Sequence, residues 1–103
     1  MIVDNNNLQC VDRHSVLTGN LNLKVAFESF GWHATEINGN SLHEINTTLS
    51  LFKKIKNKPK VIIAKTISGF GTKTMLDDVV WHYKTPTIEE RDQAVKELEN
   101  HYL

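Results

Sequence analysis

Hydrophobic residues recur along this chain in two patterns, one typical of strands and one typical of helices. Short apolar runs begin at residues 2 and 61, and residues 33–37 form a short, partly alternating segment. The run at residues 61–64 is continuous and mostly β-branched, typical of a strand covered on both faces of a parallel sheet. The pattern therefore predicts three short strands, near residues 2–3, 33–37 and 61–64.

Between and after the strands, apolar residues fall at the spacing of one helical face, and each such segment begins with a polar residue. The first predicted helix spans about residues 20–30, with Asn20 as its N-cap. Ser41 and Thr87 start the second and third helices, and each has a glutamate three residues later, which completes a capping box. The residues predicted to face the core are Leu23, Ala26, Phe27, Phe30, Leu42, Ile45, Leu49, Phe52, Ile88, Val95, Leu98 and Tyr102.

The order of these elements predicts an α/β fold in which a parallel sheet carries helices on its faces. The length of 103 residues suits one domain. Ligands of such sheets bind where the strands end at their carboxyl side, and residues 4–8 and 66–71 follow two predicted strands. Residues 66–86 form a long loop with little periodicity, and long loops tend to be functional. Function is therefore expected in these segments.

Charge and cysteine content exclude several classes of function. Twelve Lys and Arg balance twelve Asp and Glu, so a domain that coats nucleic acid or an anionic membrane is not expected. The lysines at residues 53–60 are interpreted as a solvated helix end, since no aromatic residue lies among them. Cys10 is the only cysteine, which excludes an intramolecular disulfide and a zinc site built from several thiolates. Without a basic leader or a long apolar segment, the chain is predicted to be cytoplasmic.

Three local patterns are candidates for chemistry, and each also has a purely structural interpretation. The polar run at residues 4–9 offers amide and carbonyl oxygens that suit Mg²⁺, although asparagines also form ordinary turns. Gly69 and Gly71 supply only two of the three glycines of a dinucleotide fingerprint, which favours a simple bend. His82, beside Trp81 in the long loop, is suited to bonding a phosphate or exchanging a proton near neutral pH, or to a structural hydrogen bond.

Read in order, five segments of the chain resemble transketolases. They are VDNNNLQ at residues 3–9, FESFGW at 27–32, EINGN at 36–40, TISGFG at 66–71 and WH at 81–82. The resemblance covers nearly the whole chain and implies the thiamine diphosphate-binding fold, here a partial three-layer parallel sheet with flanking helices. Residues 1–103 are then expected to be a single partial domain, the C-terminal portion of the diphosphate-binding domain of a transketolase or of its N-terminal subunit.

The resemblance also implies a set of site residues. In transketolases an upstream Gly-Asp-Gly motif gives an aspartate to Mg²⁺, and a later asparagine and the carbonyl two residues beyond it complete the protein ligands. The match carries these two ligands onto Asn6 and Leu8. Cys10 matches a position beside the thiamine ring, and His82 matches a histidine that contacts the cofactor diphosphate and the reacting sugar.

The chain departs from the family pattern at three places. The Gly-Asp-Gly motif is absent from it, so an upstream region is expected to supply that motif. Val11 and Asp12 replace the Asp-Gly usually found there, and Tyr83 stands where the family favours a glycine after the histidine. These changes favour an altered substrate or a loss of activity.

The chemistry that the resemblance implies is transfer of a two-carbon ketol unit between sugar phosphates, using thiamine diphosphate and Mg²⁺. The chain is expected to work as part of an enzyme assembly and to be inactive alone. Its expected partners are the missing upstream region, a second protomer and a complementary pyrimidine-binding (C-terminal) subunit, in a homodimer or heterotetramer. The alternatives are a non-catalytic remnant or interaction module, and a fragment of another thiamine diphosphate enzyme such as deoxyxylulose-phosphate synthase.

Overall fold

The computed structural model describes residues 1–9 and 11–102, so Cys10 lies outside the described residues. At His101 and Tyr102 it describes the backbone only. The elements, in chain order, are β1 (Ile2–Asn5), α1 (His14–Thr18), α2 (Leu23–Ser29), β2 (His33–Asn38), α3 (Leu42–Phe52), β3 (Lys60–Lys65), a 3₁₀ helix (Val79–His82) and α4 (Ile88–Tyr102).

The chain divides into two compact units. The first comprises Met1–Asn6 and Thr18–Thr66, and the second comprises Asn7–Leu17 and the chain from Ile67 onward. The first unit therefore contains the whole sheet with α2 and α3, while the second contains most of the long loop together with α4.

The three strands form one parallel sheet in the order β1-β3-β2, with Val3 beside Ile63 and Thr35 beside Ile62. The predicted parallel sheet is therefore confirmed. β3 lies between the other two strands, and its residues enter hydrophobic clusters on both faces of the sheet, so Val61 and Ile63 are fully buried at 0% exposure. Burial on both faces explains why residues 61–64 form an uninterrupted apolar run.

Helices cover both faces of this sheet. Successive residues of β3 point to opposite faces, so they enter two separate hydrophobic clusters. On one face the cluster packs against Leu23 and Phe27 of α2, and on the other it packs against Ile45 and Phe52 of α3. The first unit is therefore three-layered, with the sheet between helices, as the resemblance implied.

The first predicted helix begins later than expected. α2 starts at Leu23, and its N-cap is Asn22, whose side-chain oxygen accepts a hydrogen bond from the Val25 N–H at 3.1 Å. The prediction of Asn20 as N-cap is wrong, because it is Asn22 whose amide oxygen reaches the N–H groups of the first turn. Phe30, predicted to face the core, is 80% exposed because it occupies the C-cap, where the helix has ended.

The two predicted capping boxes are formed to different extents. At α4, the Thr87 N–H donates to the Glu90 carboxylate at 2.8 Å, and the Glu90 N–H donates to the Thr87 hydroxyl at 3.2 Å. At α3, the Ser41 hydroxyl accepts from the Glu44 N–H at 3.3 Å, but the Glu44 carboxylate accepts from the Asn38 N–H instead. The box at α4 is therefore complete, while only half of the box at α3 is formed.

The core-facing side of α3 differs in part from the prediction. Ile45 and Phe52 pack against the sheet, as predicted. Leu42 and Leu49, however, are 77% and 41% exposed, whereas Thr48 is buried. The packed face is therefore centred on the side of the helix that carries Thr48, a polar residue that a search for apolar positions does not detect.

α4 packs by a different face from the one predicted. Ala94 is buried, whereas three predicted core residues are exposed, at 66% for Ile88, 45% for Val95 and 37% for Leu98. The side chain of Tyr102 lies outside the described part of the chain. The face that carries Ala94 also carries Glu97, which bonds to the long loop, so polar contacts replace the expected hydrophobic stripe.

In the described ranges, no helix has the length and apolar content needed to cross a bilayer.

Candidate functional site

The chain turns at residues 6–9, directly after β1 ends at Asn5, and we call this segment the β1 turn. Asn6 is half-buried, and Asn7 has a φ of 60°, in the left-handed region that asparagine tolerates better than most residues. Because β1 belongs to a parallel sheet, the turn follows the carboxyl end of a strand, where ligands of α/β proteins bind. The sequence predicted a turn directly after residues 2–3, but Asp4 and Asn5 still pair with β3, so the strand is longer than predicted and the turn begins at Asn6.

Asn7 and Leu8 are held by a short antiparallel contact with the segment before α1. Leu8, which is buried, pairs with Arg13, and one of the flanking bonds runs from the His14 N–H to the Asn7 carbonyl at 2.9 Å. The side-chain oxygen of Asn7 also accepts from the Ser15 N–H at 2.9 Å. Asn7 therefore has a structural role, and the pairing fixes the backbone of Leu8 in this part of the turn.

Arg13 also ties this segment to the long loop through Asp77. The guanidinium donates to both carboxylate oxygens of Asp77, at 3.0 and 2.8 Å, and to the Asp77 carbonyl at 3.3 Å. These hydrogen bonds lower the pKa of the Asp77 carboxyl below its usual value. The Asp77 N–H in turn donates to the Ser68 carbonyl at 2.8 Å. Arg13, the pairing partner of Leu8, is therefore bonded directly to the middle of the long loop.

The long loop folds tightly around Gly69. Its φ is 69°, and both the N–H and the hydroxyl of Thr72 donate to its carbonyl, at 3.0 and 2.9 Å. A Cβ placed on Gly69 would collide with the backbone carbonyl of Met75, whose carbon would lie 2.5 Å away. Gly69 is therefore required by both its backbone angle and its surroundings, which confirms the interpretation of the Gly-Phe-Gly segment as a bend.

His82 ends the 3₁₀ helix inside the long loop. The helix is capped by Asp78, whose carboxylate accepts from the Val80 N–H at 2.9 Å. The indole N–H of Trp81 donates to the Thr74 carbonyl at 3.0 Å, so Trp81 is anchored to the loop. His82 itself is exposed. The structure thus presents an accessible imidazole next to a fixed aromatic side chain.

Glu97 on α4 holds the loop from the other side. Its carboxylate accepts four hydrogen bonds, from the N–H groups of Lys73 and Thr74, the Thr74 hydroxyl and the Gln93 amide, at 2.7 to 3.1 Å. These bonds, the one from Gln93 most of all, lower the pKa of Glu97 to about 2. No local pattern distinguishes Glu97 from the other glutamates of α4, so the sequence did not identify it.

A cavity of about 660 Å³ lies between the long loop and α4 within the second unit. Apolar side chains of Ile67, Phe70 and Leu76 line it, together with the polar Glu97. Neither Leu8 nor any residue of the 3₁₀ helix belongs to its lining. Asn6, Leu8 and His82 are therefore not among the described residues that line the cavity.

The predicted site residues fall in different parts of the chain. Asn6 belongs to the first unit, and Leu8 and His82 belong to the second. Cys10, predicted beside the thiamine ring, lies outside the described residues. Within residues 1–9 and 11–100, no three His, Asp or Glu side chains are grouped closely enough to hold a metal ion. The roles of Asn6, Leu8, Cys10 and His82 stay predictions.

One family model accounts for nearly all of the sequence. Residues 1–98 match the model of the transketolase thiamine diphosphate binding domain. The chain belongs to this family. The resemblance drawn from short segments of the sequence is therefore confirmed, and the parallel sheet and the long loop are features of a transketolase-type domain.

Named relatives of this transketolase-type chain cover most of its length. One subunit of the apulose-4-phosphate transketolase of Phocaeicola vulgatus is 29% identical over 97 residues, which make up 94% of this chain and 34% of that protein. Transketolase of Rattus norvegicus is 35% identical over 71 residues, which make up 69% of this chain and 11% of that protein. The chain therefore spans about a third of the length of the first relative and about a tenth of the length of the second. The first is named as a subunit, which implies a complementary subunit for that protein.

The fold agrees with that of a transketolase of known structure. The crystal structure of transketolase from Campylobacter jejuni matches with a TM-score of 0.82 and 31% sequence identity. The match covers 95% of this chain and 15% of that chain. The predicted fold class, a parallel sheet with flanking helices as in transketolases, is therefore confirmed.

Proposed function

We propose that this chain is part of a transketolase-like enzyme, which transfers a two-carbon ketol unit between sugar phosphates with thiamine diphosphate and Mg²⁺. The observation that carries the proposal is the β1 turn, in which Asn6 and Leu8 follow the carboxyl end of a strand in a parallel sheet. Ligands of α/β proteins bind at such strand ends. The family of the chain, that of the transketolase thiamine diphosphate binding domain, supports the same cofactor.

Asn6 and Leu8 hold Mg²⁺ through oxygen atoms in this proposal. The side-chain oxygen of Asn6 and the carbonyl of Leu8 are hard ligands that suit Mg²⁺, and the pairing with Arg13 fixes the Leu8 backbone. The residues present therefore fit part of a magnesium site. An upstream Gly-Asp-Gly motif would supply the carboxylate ligand, and Cys10 would take the position that the family resemblance assigns beside the thiamine ring.

When bound, thiamine diphosphate supplies the electron sink that cleavage of a carbon–carbon bond requires. His82 acts on the sugar. Its imidazole is exposed at the end of the 3₁₀ helix, where it donates hydrogen bonds to substrate oxygens and exchanges protons with them as their charge changes. The indole bond of Trp81 supports this role, because it limits the movement of the neighbouring residue.

The chain works within what we call the completed assembly. This assembly contains the chain, an upstream region with the Gly-Asp-Gly motif and a complementary pyrimidine-binding subunit, in the form of a cytoplasmic homodimer or heterotetramer. Two observations support this assembly. The chain spans 34% of the length of the Phocaeicola vulgatus relative, and that relative is named as a subunit. The chain alone is inactive in this proposal, because its share of the metal ligands lacks a carboxylate.

A non-catalytic interaction module is the alternative, and one observation favours it. Tyr83, next to the proposed site residue His82, stands where the family favours a glycine, which favours a loss of activity. A fragment of another thiamine diphosphate enzyme, such as deoxyxylulose-phosphate synthase, has less support, because the relatives that match most of the chain are named transketolases.

The completed assembly is expected to transfer a ketol unit from a ketose phosphate to an aldose phosphate when thiamine diphosphate and Mg²⁺ are present. Since the cofactor ligands come from this chain and the upstream region together, omission of either one, or of Mg²⁺, should abolish the transfer. Mass spectrometry of the product sugars measures the reaction, with a transketolase of known activity as control. A complete mixture that binds cofactor but forms no product would support the non-catalytic alternative.

A further inference from the structure

Hydrogen bonds connect α4 to the 3₁₀ helix that carries His82. The Glu97 carboxylate accepts from the Thr74 N–H at 3.1 Å and from the Thr74 hydroxyl at 3.0 Å. The carbonyl of Thr74 in turn accepts from the indole N–H of Trp81 at 3.0 Å. Thr74 is therefore fixed on both sides, and Trp81 is the residue next to His82.

The 3₁₀ helix has few means of holding its own orientation. It contains four residues, Val79–His82, none of which is buried, and short 3₁₀ turns have poor hydrogen-bond geometry. Contacts from outside the helix therefore decide how it is oriented. The indole bond of Trp81 is one such contact, and the ammonium group of Lys84, 4.5 Å from the centre of the Trp81 ring, is another.

We propose that Glu97 is a positioning residue, which acts through Thr74 and Trp81 to fix the orientation of His82. The proposal rests on the proposed function, which gives His82 its role. α4 is a long helix that starts with a complete capping box, so it offers a rigid base for the carboxylate. Ionised acceptors also form stronger hydrogen bonds than neutral ones. Loss of this carboxylate therefore frees Thr74, and with it the anchor of Trp81.

Hydrogen exchange of the Trp81 indole N–H, followed by NMR in the chain itself, reports this connection directly. Glu97→Ala is expected to make the exchange about tenfold faster, the effect of losing one net hydrogen bond. Glu97→Gln should give an intermediate rate, because its amide keeps one oxygen that can accept from the Thr74 N–H. A sample with Trp32→Phe assigns the resonance, since Trp32 is the only other tryptophan.

Glu99→Ala is the matched control. Glu99 is exposed on the same helix and takes no part in these bonds, and its substitution removes the same charge as Glu97→Ala. Its exchange rate should equal that of the unaltered chain. Equal rates in Glu97→Ala and the unaltered chain, or the same increase in Glu99→Ala, would overturn the proposal. If Glu97→Ala does not fold, Glu97→Gln decides, and an unchanged indole exchange rate in that variant overturns the proposal.

Activity of the completed assembly separates this proposal from the proposed function. Glu97→Gln is expected to lower kcat about tenfold with little change in KM, because a misplaced group slows the reaction more than it weakens binding. In an assembly that carries His82→Ala, the same change should have no further effect, because both act on one group. A tenfold fall in kcat caused by Glu97→Gln in the His82→Ala assembly would overturn the positioning role of Glu97. An assembly without any ketol transfer overturns the proposed function, while the indole exchange still decides whether Glu97 anchors Trp81.

Discussion

Replacement of His82 by alanine in the completed assembly is expected to lower kcat for ketol transfer by about 10²- to 10⁴-fold, the usual contribution of a positioned proton-transfer group. The free energy of unfolding should change by less than about 0.5 kcal/mol, because His82 is exposed and contributes little packing. Steady-state rates at saturating substrate measure the first effect, and urea unfolding measures the second.

His43→Ala is the matched control for this prediction. His43 is also an exposed histidine, but it lies on α3 and outside the proposed site. Its kcat and its free energy of unfolding should both stay near those of the unaltered assembly. Unchanged activity after His82→Ala would remove His82 from the site. A fall in the free energy of unfolding as large as the rise in the activation free energy would give His82 a structural role instead.

Gly69→Ala is expected to lower the free energy of unfolding of the chain by about 3 kcal/mol or more. Part of this loss comes from the φ of 69°, because a left-handed conformation costs a residue with a Cβ about 1–2 kcal/mol. The rest comes from the collision of the new Cβ with the backbone of Met75, which cannot move aside as a flexible side chain would. Urea unfolding followed by Trp81 fluorescence, with Trp32→Phe in both samples, measures the change.

Gly19→Ala separates the two causes. Gly19 has a similar φ of 76°, but a Cβ placed there meets nothing within 4 Å. This variant should therefore lose only the conformational contribution, about 1–2 kcal/mol. Equal losses for the two variants would mean that the long loop rearranges to accept a side chain at Gly69, and that the collision with Met75 does not constrain it.

The parts of the fold that were predicted from sequence are those that local patterns determine. The run at residues 61–64 is apolar at every position because β3 is covered on both faces, so its central place in a parallel sheet could be read directly. Ser41 and Thr87 were identified as N-caps because their hydroxyls bond to N–H groups only three residues away. The helix α1 was missed because five residues are too few to show a helical period.

The faces of α3 and α4 could not be predicted fully, because tertiary contacts select them. Thr48 and Ala94 are buried, although neither stands out in a search for large apolar residues. Leu42 and Leu49 carry the hydrophobic pattern of α3, but both are exposed, and it is Ile45 and Phe52 that pack on the sheet. A pattern of apolar residues therefore located the helices better than it located their buried sides.

The place of the candidate site was predicted from the sequence, but the roles of its residues stay predictions. Polar residues after β1 and a long loop after β3 favoured these two segments, because ligands of parallel sheets bind where the strands end at their carboxyl side. The bonds that hold these segments were not predicted. Arg13 and Asp77, and likewise Glu97 and Thr74, lie far apart in the sequence, and nothing near each residue indicates its partner.

Calorimetric titration of thiamine diphosphate in the presence of Mg²⁺ tests most directly whether the β1 turn helps to bind the metal-bound cofactor. The 103-residue chain alone should bind weakly or not at all, and addition of the upstream Gly-Asp-Gly region should restore binding. In the restored form, Asn6→Ala should weaken binding about 10- to 100-fold, whereas Asn46→Ala, on the exposed side of α3, should leave the affinity unchanged. Tight binding by the chain alone, or equal affinity of Asn6→Ala and the unaltered form, would contradict this account.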